Sequence, residues 1–303
     1  MDSILNDFKN AWQRPNNALP QIIIINVVIF LSLQVLRLFA NIEAFSPVYV
    51  FISDQFSLPS TLSEFVLRPW TLLTYSFNHS LRGVMHILFN MLYLYWFGKL
   101  IVEYLGSQKL INIYVLGALT GGSFYLLFYN LIPALGATPS EMVGASGAVY
   151  AVTWAAATLI PNYTFHLIFL GPVKIKYIAL FVLATSLIGL NGNNVGGNLA
   201  HLGGAFMGYV YIKQLQSGTD WGRWIGGVMT FFKSLFIKQA PIKVSHKRNQ
   251  TKSSSHSKGS SDSASNMADQ VEIDKILDKI SQSGYESLST QEKQKLFNAS
   301  KKG

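Results

Sequence analysis

Four stretches of this chain contain no Asp, Glu, Lys or Arg, and they restrict its fold more than any other feature. They lie between Arg14 and Arg37, Lys109 and Glu141, Glu141 and Lys174, and Lys176 and Lys213. A helix crossing a bilayer needs about 20 mostly apolar residues, so each gap has room for a span. A soluble core rarely needs so long an uncharged run. Charged residues make up 13% of the chain, against roughly 25% in soluble domains, and a soluble hydrolase is thereby excluded. The chain has no cysteine, which excludes a disulfide framework and a thiolate metal site.

The hydropathy pattern predicts an all-α polytopic membrane protein, a bundle of six transmembrane helices. The expected spans are about Pro20–Leu38, Gly83–Val102, Leu110–Ile132, Gly144–Pro161, Val173–Leu190 and Leu199–Gln214. The first apolar run outlasts the roughly 7–15 residues of a signal-peptide core, and no small-residue cleavage site follows it, so it reads as a retained span. Asn191–Asn198 (NGNNVGGN) reads as a turn. Lys9, Arg14, Lys99, Lys109, Lys174, Lys176, Lys213 and Arg223 fall on one side, which the positive-inside bias makes cytoplasmic, with both termini there. Arg37, Arg68 and Arg82 fall on the other. The first outer loop, about Asn41–Arg82, mixes aromatic and polar residues and is expected to rest on the membrane surface.

Residues 1–240 form the expected membrane domain, ending in an interfacial helix at about 221–237 with Trp221, Trp224, Phe231, Phe232 and Phe236 among Arg223 and Lys233. Residues 241–270 are Ser- and Lys-rich and read as a disordered linker. The formal net charge of +9 sits largely in this last third. Without interleaved aromatics it points to the membrane bias and not to nucleic acid. Residues 271–303 read as a small helical hairpin. Ile273, Ile276, Leu277 and Ile280 keep helical spacing, Gly284 is a stop, and Ser289 with Glu292 is a capping box.

Polar groups inside spans are expensive and mark function. Of the histidines, only His86 and His201 fall well inside spans. The second, fourth and sixth spans run in the same direction. His86 precedes Lys99 by about 20 Å of helix, His201 precedes Lys213 by about 18 Å, and Ser146 precedes Pro161 by about 22 Å. A hydroxyl and two imidazoles therefore share one layer near the outer surface, with Asn90 one turn below His86. That layer holds the parts of acyl transfer. A Ser hydroxyl needs a base to take its proton, imidazole is the usual base, and a developing oxyanion needs donors such as Asn90, His86 and the Ser146 amide. No carboxylate lies at this depth, so the arrangement is a dyad. Gly147, Ala151 and Ala155, and Gly204 and Gly208, allow close helix approach. Tyr150 lies one turn after Ser146. Each feature has a plainer reading: a lone G-x-S-G or G-x-x-x-G is usually packing, and a lone span histidine is usually structural. Their coincidence in one layer favours chemistry.

Taken together, HILFN (His86–Asn90), GASGAVYA (Gly144–Ala151) and AHLGGAFMG (Ala200–Gly208) resemble the motifs of the rhomboid protease family, over about residues 15–215. The resemblance implies Ser146 as nucleophile and His201 as general base. It implies His86 and Asn90 as oxyanion support, Tyr150 packed on His201, and Gly144 opening the loop at the serine. It implies no cofactor and no metal, substrates that are membrane proteins cut near the outer end of a transmembrane helix, and a bacterial plasma-membrane location. The family often has Trp-Arg in the first outer loop; here Trp70 is followed by Thr71, with Arg68 before Pro69. The terminal hairpin resembles a module appended to some bacterial members, where it has room to bind a partner. The competing readings are a catalytically inactive rhomboid-like protein that binds membrane clients, and a small transporter. The latter is disfavoured by the lack of an internal repeat. A zinc protease is disfavoured by the lack of H-E-x-x-H.

Overall fold

Lipid offers no partner to a bare peptide group, and a helix satisfies its own, so the uncharged runs become helices. The structure, a computed structural model, describes residues 18–80, 84–167, 170–192, 194–236, 272–280 and 287–300. The chain falls into two compact units, Met1–Gln239 and Ala240–Gly303.

In the first unit, α1 (Ala18–Phe39) leads into a loop carrying α2 (Ser46–Asp54) and α3 (Leu62–Leu67). Then come α4 (Val84–Leu105), α5 (Ser107–Leu131), α6 (Ser146–Leu159), α7 (Ile175–Ile188), α8 (Val195–Gln216) and α9 (Arg223–Phe236). Among the described residues, three helices are long and apolar enough to cross a membrane: α1, α4 and α5. The helix α7 is apolar but shorter, and α6 has 14 residues. Asn198, His201 and several glycines interrupt the apolar run of α8. Helix length and apolarity alone therefore mark three candidate spans of the six expected.

The boundaries differ from the sequence reading in three places. The helix of the fourth expected span, α6, begins at Ser146, leaving Gly144 in the preceding loop. The last begins at Val195, inside the stretch read as a turn, because the Asn194 side chain accepts from the Gly197 amide at 3.3 Å and caps it. Before α7 an antiparallel hairpin appears, β3 (Thr164–Leu167) on β4 (Gly171–Lys174). It is preceded in the chain by the short pair β1 (Leu58–Pro59) and β2 (Glu141–Met142). Alternate burial in β3 and β4 rests on pairing partners, which hydropathy does not show.

The core is the trio α5, α6 and α8. On α6, Ala148, Ala151, Val152 and Ala155 are fully buried. A side chain on Gly204 would collide with the Gly147 carbonyl, and one on Gly208 with the Ala151 carbonyl. Backbone thus packs directly on backbone. At the periphery, α1 buries few of its residues and exposes Val28, Leu31, Val35 and Leu38. Such apolar exposure suits lipid and not water.

The outer loop is tied down by specific bonds. Arg68 donates to the Asp54 carbonyl at 3.1 Å and pairs with the Asp54 and Glu64 carboxylates. Thr71 is fully buried and its hydroxyl donates to the Arg68 carbonyl at 2.6 Å. The position after Trp70 therefore has no room for a long cation, and Arg68 supplies the anchoring charge. At the other end, Asp220 ties the α8–α9 turn to α5 through Lys109, and takes bonds from Tyr211 (2.8 Å) and the Gly222 amide (3.0 Å). Burial alone pushes the Asp220 carboxyl up, but these donors outweigh it and hold it below its ordinary value. The helix α9 exposes Trp224, Val228, Phe231, Phe232 and Leu235.

In the second unit, residues 272–280 form α10 and Thr290–Ser300 form α11. The Ser289 amide donates to Glu292 (2.7 Å) and the Glu292 amide to Ser289 Oγ (3.4 Å), a capping box. Lys279 pairs with Glu292 and Lys295 with Glu272. Ile276 and Leu288 are buried. The expected linker at 241–270 and the stop at Gly284 lie outside the described residues.

Gly204→Ala forces a methyl into the α6–α8 seam. It is expected to destabilise the protein by about 1–3 kcal/mol, the usual range for overpacking, and thermal unfolding in detergent reads this directly. Gly227→Ala, on α9 where a Cβ meets nothing, should leave the transition in place. Equal melting of both variants would show that the seam tolerates a side chain.

Candidate active site

Ser146 occupies the first residue of α6, and the turn that aims it depends on Gly144. There φ is +138°, a conformation that side chains rarely adopt. A Cβ at Gly144 would also lie 3.0 Å from His86 Cε1 and 3.6 Å from Ser146 Oγ. A side chain there would press on the imidazole and meet the hydroxyl at ordinary contact distance. The Gly144 amide donates to the Tyr75 carbonyl at 3.1 Å. Tyr75, fully buried, donates its own hydroxyl to the Ala118 carbonyl of α5 at 2.8 Å. The serine loop is therefore fixed to the core through one tyrosine.

His201 stands nearly two turns into α8. Its ring lies flat on Tyr150 of α6, centroids 4.1 Å apart and planes 7° apart. Its Nδ1 is 3.0 Å from Ser186 Oγ of α7, which leaves Nε2 as the ring nitrogen available to the cavity. Asn90, mostly buried on α4, donates to the His86 carbonyl at 2.9 Å. One amide hydrogen remains for another acceptor. Ser146, His201, His86, Asn90, Gly144 and Tyr150 all line one cavity of about 860 Å³. Gly147, Gly204 and Gly208 do not line it; they form the seam that brings α6 and α8 together. Among the described residues no hydrogen bond joins Ser146 to His201. Such pairs commonly tighten only when a substrate binds.

Three residues that the sequence reading passed over belong to this constellation. Tyr75 holds the serine loop and Ser186 holds the histidine ring. His79, read as an outer-loop residue, is 1% exposed, and neither of its ring nitrogens has a partner. It meets His86 edge-on, centroids 5.3 Å apart. Ser186 carried one usable signal, a hydroxyl within an apolar run.

Chemically, the arrangement offers a hydroxyl, an oriented imidazole and polar hydrogens around one partly open cavity. The charged clusters that would hold a metal are absent among the described residues.

The burial of His79 has a pH consequence. Burial, reinforced by neighbouring His86, lowers its pKa from 6.5 to about 3. The unfolded chain then binds a proton that the folded chain refuses. The stability associated with His79 is complete above about pH 6.5 and is lost as pH falls toward 3. His79→Phe keeps a ring and removes two unpartnered nitrogens, a change that is often near neutral. Its melting temperature should fall less than that of the wild type between pH 6.5 and 4. Parallel acid curves would mean that this imidazole is not the source.

Comparison with known proteins converges on the same segments. The family described as Rhomboid domain matches residues 67–217, and a family of unknown function, DUF6576, matches residues 264–302. RHOMBOID-like protein 12, mitochondrial, of Arabidopsis thaliana is 34% identical over 163 residues, 50% of this chain and 48% of that protein. Rhomboid-like protein 16, chloroplastic, of Arabidopsis thaliana is 30% identical over 164 residues, half of each chain. Presenilin-associated rhomboid-like protein A, mitochondrial, of Danio rerio is 29% identical over 143 residues, 45% of this chain and 35% of that protein. The chain spans about half the length of the Arabidopsis relatives it matches.

Proposed function

Because this chain belongs to the rhomboid family, we propose that it is an intramembrane serine endopeptidase working through Ser146 and His201. The observation that carries the reading is the shared cavity: hydroxyl, base and donors arrive there from three different helices. In this mechanism His201 Nε2 takes the Ser146 proton while Oγ attacks a peptide carbonyl. The carbonyl oxygen gains charge, and the Ser146 amide, His86 and Asn90 supply donors to it. His201 returns its proton to the leaving amine as the C–N bond breaks. Water, activated by the same imidazole, then cleaves the acyl-serine ester and restores Oγ–H.

Substrates are membrane proteins with a transmembrane helix, cut where the helix unwinds near the outer surface. The reading includes six spans, with α6, α7 and α8 joining the three long apolar helices. It places both ends on the cytoplasmic face of a bacterial plasma membrane, which the Lys and Arg distribution supports for orientation. It makes α9 an interfacial helix and leaves the terminal hairpin two open roles, binding a partner or tuning the enzyme. No cofactor enters the chemistry.

Purified wild type in detergent should cleave a single-span test substrate, and Ser146→Ala and His201→Ala should reduce the rate at least about 10³-fold, as loss of a nucleophile or its base does elsewhere. Cleavage that survives Ser146→Ala would reject the assignment. Absence of cleavage by wild type, with Ser146 inert to a fluorophosphonate, would favour a client-binding rhomboid-like protein.

A further inference from the structure

Four polar groups from α6, α7 and α8 lie in one buried line. His201 Nδ1 is 3.0 Å from Ser186 Oγ, Ser186 Oγ is 2.9 Å from the Tyr150 hydroxyl, and that hydroxyl is 3.0 Å from the Val182 carbonyl. Ser186 is 2% exposed, so its bonds are made inside the protein.

Counting protons fixes their direction. The Val182 carbonyl has two lone pairs. The α7 helix bond from the Ser186 amide takes one, and the Tyr150 and Thr185 hydroxyls contend for the other at 3.0 and 2.8 Å, both closer than Ser186 Oγ at 3.1 Å. The Ser186 proton therefore goes to the Tyr150 oxygen, and Ser186 Oγ is left as an acceptor. The group facing it is His201 Nδ1, and this arrangement assigns the ring proton to it. The line then runs from His201 Nδ1–H to Ser186 Oγ–H, to Tyr150 Oη–H, to the Val182 carbonyl, which Thr185 shares. Neutral imidazole has one N–H only, so Nε2 is bare and able to accept.

We propose that Ser186 is a positioning residue of the active site, which holds His201 in the Nδ1–H tautomer and so keeps Nε2 free to act as the base. The inference rests on the protease reading for its catalytic meaning. It replaces a bare dyad with a hydroxyl-backed one, in the role that a carboxylate fills in a serine triad. Ser186 does not touch substrate. It acts through the ring that Tyr150 also stacks against.

The test uses the full chain in detergent, as wild type, Ser186→Ala and Ser186→Cys. The cysteine variant keeps the volume, weakens the acceptor and stands in if alanine fails to fold. Ring-nitrogen NMR on ¹⁵N-histidine protein, assigned with His201→Ala, reads the tautomer without any catalysis. Wild type should show a single Nδ1–H form, and the variants a mixture. Cleavage kinetics should show kcat lower by roughly tenfold, the kinetic equivalent of one hydrogen bond, with KM within about twofold. Wild-type kcat in the variants, or an unchanged single tautomer, overturns the proposal. If wild type neither cleaves nor reacts with a fluorophosphonate, the protease reading fails, and the NMR result still decides whether Ser186 sets the tautomer.

Discussion

Between α6 and α8 backbone meets backbone, Gly147 against Gly204 and Ala151 against Gly208. Lipid supplies no hydrophobic push between helices, so close packing of this kind does the joining. The rest of the site follows from it. Ser146 begins one helix and His201 lies near the start of the other, and small residues at the seam bring both to one cavity. Larger side chains there would separate the helices and, with them, the hydroxyl from the imidazole.

On this seam a set of buried hydrogen bonds adds orientation, which packing alone does not give. Tyr75 links the Gly144 turn to α5. Tyr150 and Ser186 grip the His201 ring from its face and its edge. In an apolar interior such bonds meet little competition from water, and an unpartnered group is costly. Orientation is therefore strongly specified wherever every group is matched. His79 is an exception, buried with neither nitrogen matched, and its neighbour is one of the two imidazoles at the cavity.

The outer loop shows how one substitution in a familiar pattern is absorbed. Thr71 is small and buried, while Arg68, three residues earlier, reaches Asp54 and Glu64. Exposed ion pairs contribute little by themselves. Here the pairs accompany a hydrogen bond to the Asp54 carbonyl and Trp70 donating to Gln55 at 3.2 Å, so the loop is held by several ties at once.

How far the sequence reached can be judged residue by residue. Uncharged runs located the long helices to within a few residues, because a span must be apolar over its whole length. The layer containing His86, Asn90, Ser146 and His201 was legible from helical rise and direction, since both are fixed by backbone geometry. Pairing of β3 with β4 was not legible, because it depends on a partner across a turn; the cap at Asn194 is local, to Gly197, but lies in a run of Asn and Gly that reads as a turn. The roles of Ser186 and Tyr75 were equally hidden. A serine in a helix usually bonds its own backbone, and nothing along the chain shows that α7 turns this one toward His201. Sequence alone thus determined which segments are long and apolar and which polar residues interrupt them, since those are properties of single segments. Only the tertiary structure decided which of them meet, because contact between side chains depends on how three helices rotate about one glycine seam.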